Sequence, residues 1–301
     1  MKIAAADIGG TAIKYGLYEN GSLTEMHEIP TNAKEGGRAV LQRTMEAVSG
    51  LPEFRAVGIS TAGQVDRKKG SIIFSNANLP DYTGVNVRAV FEKRFGLPTA
   101  VENDVNAAAL GEAEYGAGKK LRDFLMLTYG TGIGGAIVAD GRLYTGSTMS
   151  AGEFGGMVLH PEKMEKGILY SGCYEKYASV TALTEKVGKK HPELKDGRSI
   201  FQNLEKPEVR QAVDEWIFEV SAGLVSLIHI FNPAAVILGG GIMKQKIVFN
   251  GIRTAVKPYL AGGFQNTAIL QAALGNAAGM IGAGASAEKR VRELRQKNRK
   301  K

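Results

Sequence analysis

Hydrophobic residues along the chain occur in two patterns, one typical of buried strands and one typical of helices. Residues 2–8 and 56–60 are short apolar runs typical of buried strands, whereas residues 37–48 and 208–231 carry apolar side chains at helical spacing. Further strands are predicted at 13–18, 23–29, 99–102, 124–128, 136–139, 235–238 and 267–271, and further helices at 87–95, 103–115 and 277–295. Because predicted strands and helices alternate along the chain, the pattern predicts an α/β protein.

Two stretches share the order strand, glycine turn, strand. One surrounds residue 9 and the other residue 132, which hints at a duplicated lobe. A chain of 301 residues is long enough for two lobes around a cleft. We therefore expect an N-terminal α/β lobe over residues 1–117 and a C-terminal α/β lobe over 118–287, with the last helix, 288–301, as a candidate to pack back on the first lobe.

The net charge of +8 is concentrated at the C-terminus. Residues 288–301 hold eight Lys or Arg against two Glu, which leaves +2 for the rest of the chain. Such a tail is expected to be a solvated helix end that frays, with weak contact to an anionic partner as the alternative. No specific nucleic-acid partner is predicted, because phosphate contacts alone give only nonspecific affinity.

Cysteine usage and hydropathy indicate a cytoplasmic protein. Cys173 is the only cysteine, so no internal disulfide can form, and no apolar run approaches the length of a membrane span. The N-terminal stretch reaches Asp7 too early for the core of a signal peptide. We therefore expect no membrane partner.

The first glycine turn joins an acid to backbone that can approach phosphate. In Asp7-Ile8-Gly9-Gly10-Thr11 the two glycines let N–H groups come close to phosphate oxygens. Asp7 could then hold Mg²⁺ through water, and Lys14 is near enough in sequence to face the phosphates. An ordinary hairpin turn explains the pentapeptide equally well.

The second turn, Gly130-Thr131-Gly132-Ile133-Gly134-Gly135, matches the letters of a dinucleotide fingerprint. That fingerprint requires a following helix, whereas residues 136–139 are predicted as a strand, so a dehydrogenase is disfavoured. A hairpin that cradles phosphate, with Thr131 donating a hydrogen bond, fits better.

The third turn, Gly239-Gly240-Gly241, lies between a predicted strand and a predicted helix and is free of side chains, so an adenosine could lie against it. No Walker A lysine motif occurs in the chain. Three glycine turns spaced through both predicted lobes favour a nucleotide bound in a cleft.

Two polar residues stand at the start of the predicted helix 103–115. Asn103 and Asp104 occupy the positions of helix-capping residues, and capping is one explanation for them. Only one cap is needed, and a helix N-terminus favours the charged form of Asp104, which should keep its carboxylate ionised at neutral pH. An ionised carboxylate can accept the proton of a hydroxyl that attacks a γ-phosphate, so catalysis is the second explanation.

Seven motifs of the chain, and the order in which they occur, resemble those of the ROK family of sugar kinases and sugar-responsive repressors. They span nearly the whole chain and read Asp7-Ile8-Gly9-Gly10-Thr11, Ser75-Asn76-Ala77-Asn78-Leu79-Pro80, Glu102-Asn103-Asp104-Val105-Asn106-Ala107-Ala108, Gly130-Thr131-Gly132-Ile133-Gly134-Gly135, Ala151-Gly152-Glu153-Phe154-Gly155, Gly172-Cys173-Tyr174-Glu175 and Ile237-Leu238-Gly239-Gly240-Gly241. The resemblance implies an actin-like/hexokinase ATPase fold, with two α/β lobes that close on ATP–Mg²⁺ and a sugar. It also implies a homodimer.

The resemblance assigns roles to the matching residues. Asp104 becomes the catalytic base, Asn103, Glu153 and Glu175 become ligands of sugar hydroxyls, and Asn78 is a weaker candidate on the substrate side. Around the phosphates and metal it places Asp7, Gly9, Gly10, Thr11, Thr131 and Gly132. The glycine turns themselves add Lys14, Gly130, Gly134, Gly239, Gly240 and Gly241 to the predicted nucleotide site.

The implied activity is ATP-dependent phosphorylation of a sugar hydroxyl, on glucose or on a β-glucoside such as cellobiose. Another hexose (fructose, mannose or an N-acetyl sugar) and a non-catalytic sugar sensor are the alternatives. The repressors of the family carry an added N-terminal helix-turn-helix segment, whereas here the phosphate motif begins at residue 7. A DNA-binding regulator is therefore disfavoured.

The chain departs from the family at a zinc site. Many members carry a histidine after Glu-x-Gly and a run of cysteines, whereas here Gly156 takes the histidine position and residues 166–168 lack the paired cysteines. Cys173 and the nearby His160 are too few ligands for a site of about four, so no zinc is predicted. The same histidine contacts the sugar in those relatives, so Gly156 is expected to open space for a β-linked glucoside, as in members resembling β-glucoside kinases. If Gly156 faces solvent, glucose and other hexoses stay open.

Overall fold

The structure, a computed structural model, describes residues 1–299, and strands and helices alternate along them. Lys300 and Lys301, the end of the predicted fraying tail, lie outside the described residues. The strands are β1 (Ile3–Ile8), β2 (Ala12–Glu19), β3 (Ser22–Pro30), β4 (Val57–Thr61), β5 (Gln64–Asp66), β6 (Ser71–Phe74), β7 (Thr99–Asn103), β8 (Phe124–Tyr129), β9 (Ile133–Ala139), β10 (Arg142–Tyr144), β11 (Ala235–Gly239) and β12 (Ala268–Gln271). The helices are α1 (Gly37–Ser49), α2 (Val87–Phe95), α3 (Asp104–Tyr115), α4 (Glu175–Ala178), α5 (Val180–Gly188), α6 (Gly197–Phe201), α7 (Pro207–Phe231), α8 (Lys246–Val256) and α9 (Ala278–Arg299).

The described chain divides into two units. Unit 1 contains Met1–Lys120, Leu143–Ala151 and the described residues from Asn276 onward, and unit 2 contains Leu121–Arg142 and Gly152–Gly275. The lobe boundaries expected from the sequence, 1–117 and 118–287, stay a prediction.

Unit 1 is built on a five-stranded sheet in the order β3-β2-β1-β4-β7. β1 pairs antiparallel with β2 and parallel with β4, and β4 pairs parallel with β7. Almost every residue of β1 and β4 is buried, which explains why both are continuous apolar runs in the sequence. The carboxyl ends of β1, β4 and β7 meet at one edge of this sheet.

Helix α9 packs against α3 and β4 through glycines. A Cβ at Gly282 would lie 1.7 Å from the carbonyl oxygen of Ala107 in α3, and a Cβ at Gly58 in β4 would lie 2.2 Å from the carbonyl oxygen of Ala283. No other residue type fits such an approach of two backbones. The glycines therefore bring the first turn of α9 close to the carboxyl edge of the sheet.

Unit 2 repeats the topology of four strands of unit 1. Its strands run in the order β9-β8-β11-β12, with β8 antiparallel to β9 and parallel to β11, and β11 parallel to β12, which matches the order β2-β1-β4-β7 in unit 1. The second glycine turn joins β8 to β9, as the first joins β1 to β2. Two strand–glycine turn–strand arrangements, indicated by the sequence, are therefore present as antiparallel hairpins, and the first strand of each also pairs with a parallel strand.

The longest helix of the described chain, α7, supplies the core of unit 2. Trp216 is 1% exposed, and its indole Nε1 donates a hydrogen bond to the Ser179 carbonyl at 2.9 Å. The indole therefore satisfies its one donor while the ring is buried. Among residues 1–299, no helix is both long enough and apolar enough to cross a membrane.

The predicted elements agree with the structure except at a few places. Helix α9 continues to Arg299 instead of ending at residue 295, and β9 begins at Ile133, inside the glycine turn. No element was predicted for β5, β6, β10, α4, α5 or α6. These elements are three to nine residues long, but α2, β4 and β12 are as short and were predicted, so length alone does not explain the difference.

Candidate active site

Three parallel strands of unit 1 deliver polar residues to the same edge of the sheet. The register pairs Asp7 of β1 with Ser60 of β4, and Ser60 with Glu102 of β7. Asn103 then ends β7 and Asp104 begins α3. In open α/β sheets, ligands bind outside the carboxyl ends of the strands. This edge is therefore a candidate ligand-binding surface of unit 1.

Asp7 is a partly exposed carboxylate at this edge. The Ser60 hydroxyl donates to Asp7 Oδ1 at 2.6 Å, and Lys14 lies opposite Asp7 in the β1–β2 register. Burial raises the pKa of Asp7, and the Ser60 bond and the Lys14 charge oppose this only in part. A Cβ at Gly279, in the first turn of α9, would lie 3.0 Å from Asp7 Oδ1. A desolvated carboxylate of this kind fits a divalent cation that keeps most of its water.

The turn between β1 and β2 is open at its tip. The Gly9 N–H donates to the Ala12 carbonyl at 3.0 Å, and the Thr31 hydroxyl donates to the Gly9 carbonyl at 2.6 Å. Gly10 and Thr11 are exposed, and a Cβ at Gly10 would meet nothing within 4 Å. The internal bonds are those of a hairpin turn, and the tip leaves room for an anion, so both explanations offered by the sequence fit its geometry.

Asn103 caps α3 through Oδ1, and Nδ2 also has partners. Oδ1 accepts the N–H groups of Val105 and Asn106, both at 3.0 Å. Nδ2 donates to the Gly63 carbonyl at 3.0 Å and to Asp104 Oδ1 at 2.8 Å. The capping explanation therefore applies to Asn103, and Asp104 is the first residue of the helix. A sugar hydroxyl could bind Asn103 only by sharing or replacing one of these bonds.

The carboxylate of Asp104 is fixed through one oxygen. Oδ1 accepts the Asn103 amide at 2.8 Å and the Val105 N–H at 2.9 Å. Burial, followed by the negative charge of Asp7, raises the pKa of Asp104 to about 6. The Val105 N–H at the helix N-terminus favours the charged form, as expected, but desolvation outweighs the hydrogen bonds that lower the pKa. At neutral pH the carboxylate is still mostly ionised.

A buried ion pair precedes Asn103 in β7. Arg67 Nε contacts Glu102 Oε2 at 2.6 Å, and Glu102 is 1% exposed. Burial raises the pKa of Glu102, and Arg67 lowers it by less. Glu102 Oε1 also accepts the Asn103 N–H at 3.2 Å, so the pair fixes the end of β7 from which Asn103 and Asp104 follow.

Sequence reasoning missed three residues of this edge: Ser60, Arg67 and Gly279. The polar stretch Ser60-Thr61-Ala62-Gly63, directly after the apolar run of β4, is a signal that could have indicated Ser60. Arg67 and Gly279 have no local signal, because their partners Glu102 and Asp7 are distant in sequence.

Two glycine turns lie at the carboxyl edge of the sheet in unit 2. Gly239, at the end of β11, pairs with Thr128 of β8. Gly240 has a φ of 99°, and a Cβ there would lie 2.1 Å from the Tyr129 carbonyl oxygen, so only glycine fits. A Cβ at Gly130 or Gly241 would meet nothing within 4 Å. Both turns therefore expose backbone that a ligand can approach.

The turn Gly130–Gly132 is tied to the start of α5. The Thr181 hydroxyl donates to the Thr131 carbonyl, and the Val180 N–H donates to the Gly130 carbonyl, both at 2.8 Å. Thr131 is exposed at the tip, whereas Gly134 lies in β9 opposite Thr128. These bonds fix the turn while its outer surface stays accessible.

Glu175 lies against the same turn. Its Oε2 accepts the Ile133 N–H at 2.8 Å. A Cβ at Gly132 would lie 2.3 Å from this oxygen, and a Cβ at Gly155 would lie 3.2 Å from it. Gly132 is therefore needed to admit the Glu175 carboxylate, a role that the sequence did not indicate.

The ring of Tyr170 lies beside Gly156. A Cβ at Gly156 would lie 3.2 Å from Tyr170 Cε1. Burial, followed by the carboxylates of Glu153 and Glu175, raises the pKa of Tyr170, so the phenol shares its surroundings with both acids. The Tyr170 ring thus adjoins the position where Gly156 was expected to open space, and the hypothesis about a β-linked glucoside stays a prediction.

His160 and Cys173, the residues nearest to a zinc set, have protein partners. The two ring nitrogens of His160 contact Glu162 at 3.2 Å and Glu219 at 2.9 Å, and Cys173 Sγ donates to the Gly156 carbonyl at 3.1 Å. Within residues 1–299, no group of three or more His, Cys, Asp or Glu side chains is arranged to hold a metal ion. The expectation of no zinc stays a prediction.

Asn78 lies in the exposed loop after β6. Its N–H donates to Asn76 Oδ1 at 3.0 Å, and the buried Leu79 anchors the loop. Among the described hydrogen bonds, Asn78 has none with Asp7 or Asp104. The structure thus brings Asp7, Lys14, Asn103 and Asp104 together in unit 1, and the residues of the two glycine turns with Glu175 in unit 2.

The two sheets, each with a glycine turn that leads into parallel strands, are those of the actin-like/hexokinase ATPase class predicted from the sequence. The chain belongs to the ROK family, whose sequence profile matches residues 3–290.

Similar proteins agree with this assignment. The glucokinase of Streptomyces coelicolor is 34% identical over 303 residues, which cover 92% of this chain and 94% of that protein. The beta-glucoside kinase of Listeria innocua is 32% identical over 293 residues, which cover 94% of this chain and 96% of that protein. The crystal structure of a ROK family glucokinase from Streptomyces griseus, in complex with glucose and AMPPNP, matches with a TM-score of 0.84 at 31% identity and covers 96% of this chain and 100% of that one. The predicted family and fold class are confirmed.

Proposed function

We propose that this chain transfers the γ-phosphoryl group of ATP to a hydroxyl group of a sugar, with Asp104 as the general base. The observation that carries the proposal is the Asp104 carboxylate at the start of α3, whose Oδ1 is fixed by Asn103 and Val105. Similarity to a glucokinase and to a beta-glucoside kinase supports the class of sugar phosphotransferase.

Asp104 takes the proton of the attacking hydroxyl. Because Oδ1 accepts both positioning bonds, Oδ2 is the oxygen expected to face the sugar. The hydroxyl oxygen bonds to the γ-phosphorus while the bond from that phosphorus to the β–γ bridging oxygen breaks, which yields the sugar phosphate and ADP. A base with a pKa of about 6 suits this step, since it is mostly ionised at neutral pH and still basic enough to accept the proton.

Asp7 is the proposed ligand of Mg²⁺, held through water. Mg²⁺ usually keeps several waters and takes one or two protein carboxylates together with phosphate oxygens. When bound, the ion neutralises charge on the phosphates. Lys14, opposite Asp7 on β2, adds a positive charge beside the same carboxylate.

Backbone groups of the glycine turns are the proposed nucleotide contacts. The tips at Gly10 and Gly130 are open, and both can present N–H groups to phosphate oxygens. Gly240 and Gly241 offer a surface without side chains on which an adenosine can lie. Thr11 and Thr131, exposed at the two tips, are the proposed hydroxyl donors, and Gly9, Gly132, Gly134 and Gly239 complete the proposed set.

Glu153 and Glu175 are the proposed ligands of sugar hydroxyls, with Asn103 and, more weakly, Asn78 on the substrate side. Carboxylates accept strong hydrogen bonds from hydroxyl groups. The proposed substrate is glucose or a β-glucoside such as cellobiose, in keeping with the glucokinase and beta-glucoside kinase among the similar proteins. Another hexose is the alternative.

We also propose that the protein works in the cytoplasm as a homodimer without zinc. The single cysteine supports a reducing compartment, and the partners of His160 and Cys173 support a loop that is held without metal. Stoichiometric zinc after dialysis against a chelator would contradict the last point.

The proposal is tested by measuring ADP release with ATP and Mg²⁺ across monosaccharides and β-linked disaccharides. Asp104→Asn is compared with Asp214→Asn, in which an exposed acid of α7 paired with Arg210 is changed in the same way. We expect turnover on glucose or cellobiose that falls by about a hundredfold or more in Asp104→Asn and persists in Asp214→Asn. Turnover that survives Asp104→Asn contradicts the assigned base, and sugar binding without turnover in the wild type favours a sensor.

A further inference from the structure

Tyr170 has an unusual backbone conformation. Its φ is 65°, in the left-handed region that a bulky side chain rarely adopts. Such a conformation persists only where the surroundings hold it, and it is frequent at ligand-binding sites. Tyr170 is also 37% exposed, so burial of its ring in a core does not account for it.

Bonds within unit 2 hold Tyr170 next to Gly156. The Cys173 N–H donates to the Tyr170 carbonyl at 3.2 Å, and Cys173 Sγ donates to the Gly156 carbonyl at 3.1 Å. The Ser171 hydroxyl donates to the Ile168 carbonyl at 2.8 Å. Tyr170 and Gly156 are therefore linked through the same cysteine.

The ring adjoins Gly156, and the preceding Gly155 adjoins Glu175, one of the two acids that are proposed to bind the sugar. The place of a Cβ at Gly156 is 3.2 Å from Tyr170 Cε1 and 3.7 Å from Cδ1, and the place of a Cβ at the preceding Gly155 is 3.2 Å from Glu175 Oε2. The negative charges of Glu153 and Glu175 contribute to the raised pKa of Tyr170, which is consistent with this proximity. The phenol is therefore neutral, and it can donate a hydrogen bond as well as present an apolar ring.

We propose that Tyr170 is a specificity-determining residue whose ring forms a wall of the sugar site beside Glu153 and Glu175 and favours a single sugar ring over a β-linked glucoside. The inference rests on the proposed function, because it takes the two glutamates as sugar ligands. A tyrosine suits a wall, since it is large and has few rotatable bonds. The selectivity that the sequence assigned to Gly156 is thereby moved to Tyr170.

Gly156 is small because the ring occupies the adjacent space. Alanine at position 156 would place a methyl group 3.2 Å from Cε1, a distance at which the ring must give by a few tenths of an ångström. Gly156 and Tyr170 therefore act as a pair, in which the glycine admits the ring and the ring limits the sugar.

The test is the ratio of kcat/KM for cellobiose to kcat/KM for glucose in four proteins: wild type, Tyr170→Ala, Tyr170→Phe and Leu169→Ala. Leu169 is 73% exposed in the same loop and serves as the matched control. Loss of the ring in Tyr170→Ala should raise the ratio by about tenfold, in the range that a pocket contact contributes to selectivity. Tyr170→Phe keeps the ring and should keep the ratio, as should Leu169→Ala. An unchanged or lowered ratio in Tyr170→Ala overturns the proposal.

A binding measurement separates this inference from the proposed function. Calorimetric dissociation constants for glucose and cellobiose, measured in an Asp104→Asn background with and without Tyr170→Ala, need no turnover. A shift of their ratio towards cellobiose supports the wall even if Asp104 is not the base. A kinase that depends on Asp104 but shows no shift in either ratio defeats the inference about Tyr170 and leaves the proposed function standing.

Discussion

At the scale of single residues, the chemistry depends on two opposing effects on Asp104. The Asn103 amide and the Val105 N–H stabilise the charged carboxylate, whereas burial and the charge of Asp7 destabilise it more, so the pKa rises to about 6. Because this pKa is raised in the folded state, ionised Asp104 costs stability above about pH 6, and the cost disappears as the pH falls towards the ordinary value of 3.8. Opposing effects of this kind on a pKa are typical of a functional carboxylate.

The raised pKa predicts a pH profile. The base form of Asp104 is lost as the pH falls through about 6, so kcat/KM for the sugar should be level near neutral pH and fall about tenfold per unit on the acid side. Initial rates across this range test it, with Asp214→Asn as a control that should show the same profile. If kcat/KM instead fell only around pH 3.8, the ordinary pKa of the carboxyl group, the result would contradict a raised pKa at Asp104.

Sequence alone indicated the residues that can be recognised from their neighbours in the chain. Asp104 and Asn103 stand at a helix start, and Asp7 stands at the end of an apolar run, so their types and positions were readable. Ser60 and Arg67 were missed because they act on partners in other strands. The sequence did not indicate that the pKa of Asp104 would be raised, for the same reason: desolvation is set by what packs around a side chain, which no local pattern contains.

At the scale of elements, the start of α3 links fold stability to the proposed chemistry. Asn103 is both the helix cap and the donor that orients Asp104, and the Arg67–Glu102 pair fixes the strand that delivers it. Asn86 caps α2 in a similar way, with its side chain accepting the Ala89 N–H at 2.9 Å, and it lies away from any proposed site residue in sequence. The two asparagines form a matched pair.

Removing each cap separates stability from positioning. Asn103→Ala and Asn86→Ala should each lower the free energy of unfolding by about 1 kcal/mol, measured by denaturant titration. Only Asn103→Ala should also lower kcat, by about tenfold or more, because Asp104 loses the amide that orients it. A rise in KM is compatible with the proposed sugar contact of Asn103. Equal kcat values for the two variants would show that Asn103 does not position the base.

The long elements were all predictable, whereas only some of the short ones were. The 25 residues of α7 and the buried strands β1 and β8 carry enough positions for a period to appear. The loop that holds Tyr170 has no such period, and its conformation depends on hydrogen bonds with Cys173 and within the loop itself. The sequence therefore could not show that the Tyr170 ring would lie beside Gly156.

At the scale of the whole molecule, the same sheet topology occurs in both units, with a glycine turn at the same place in each. The resemblance to the ROK family, carried by motifs that span nearly the whole chain, was enough to predict this fold class. The charge distribution agrees with a small-molecule enzyme: the basic excess is confined to residues 288–301, and the rest of the chain carries +2. Lobe boundaries, oligomeric state and the sugar itself are properties that the motifs do not encode.

The most direct test of the central claim is a paired measurement on Asp104→Asn at neutral pH: the dissociation constant for glucose by calorimetry and the rate of glucose phosphorylation at saturating ATP and Mg²⁺. If Asp104 accepts the proton of the sugar hydroxyl, binding should stay within about threefold of wild type while kcat falls by about a hundredfold or more. A kcat close to that of the wild type, or a loss of rate that weaker glucose binding fully explains, would contradict the assignment of Asp104 as the catalytic base.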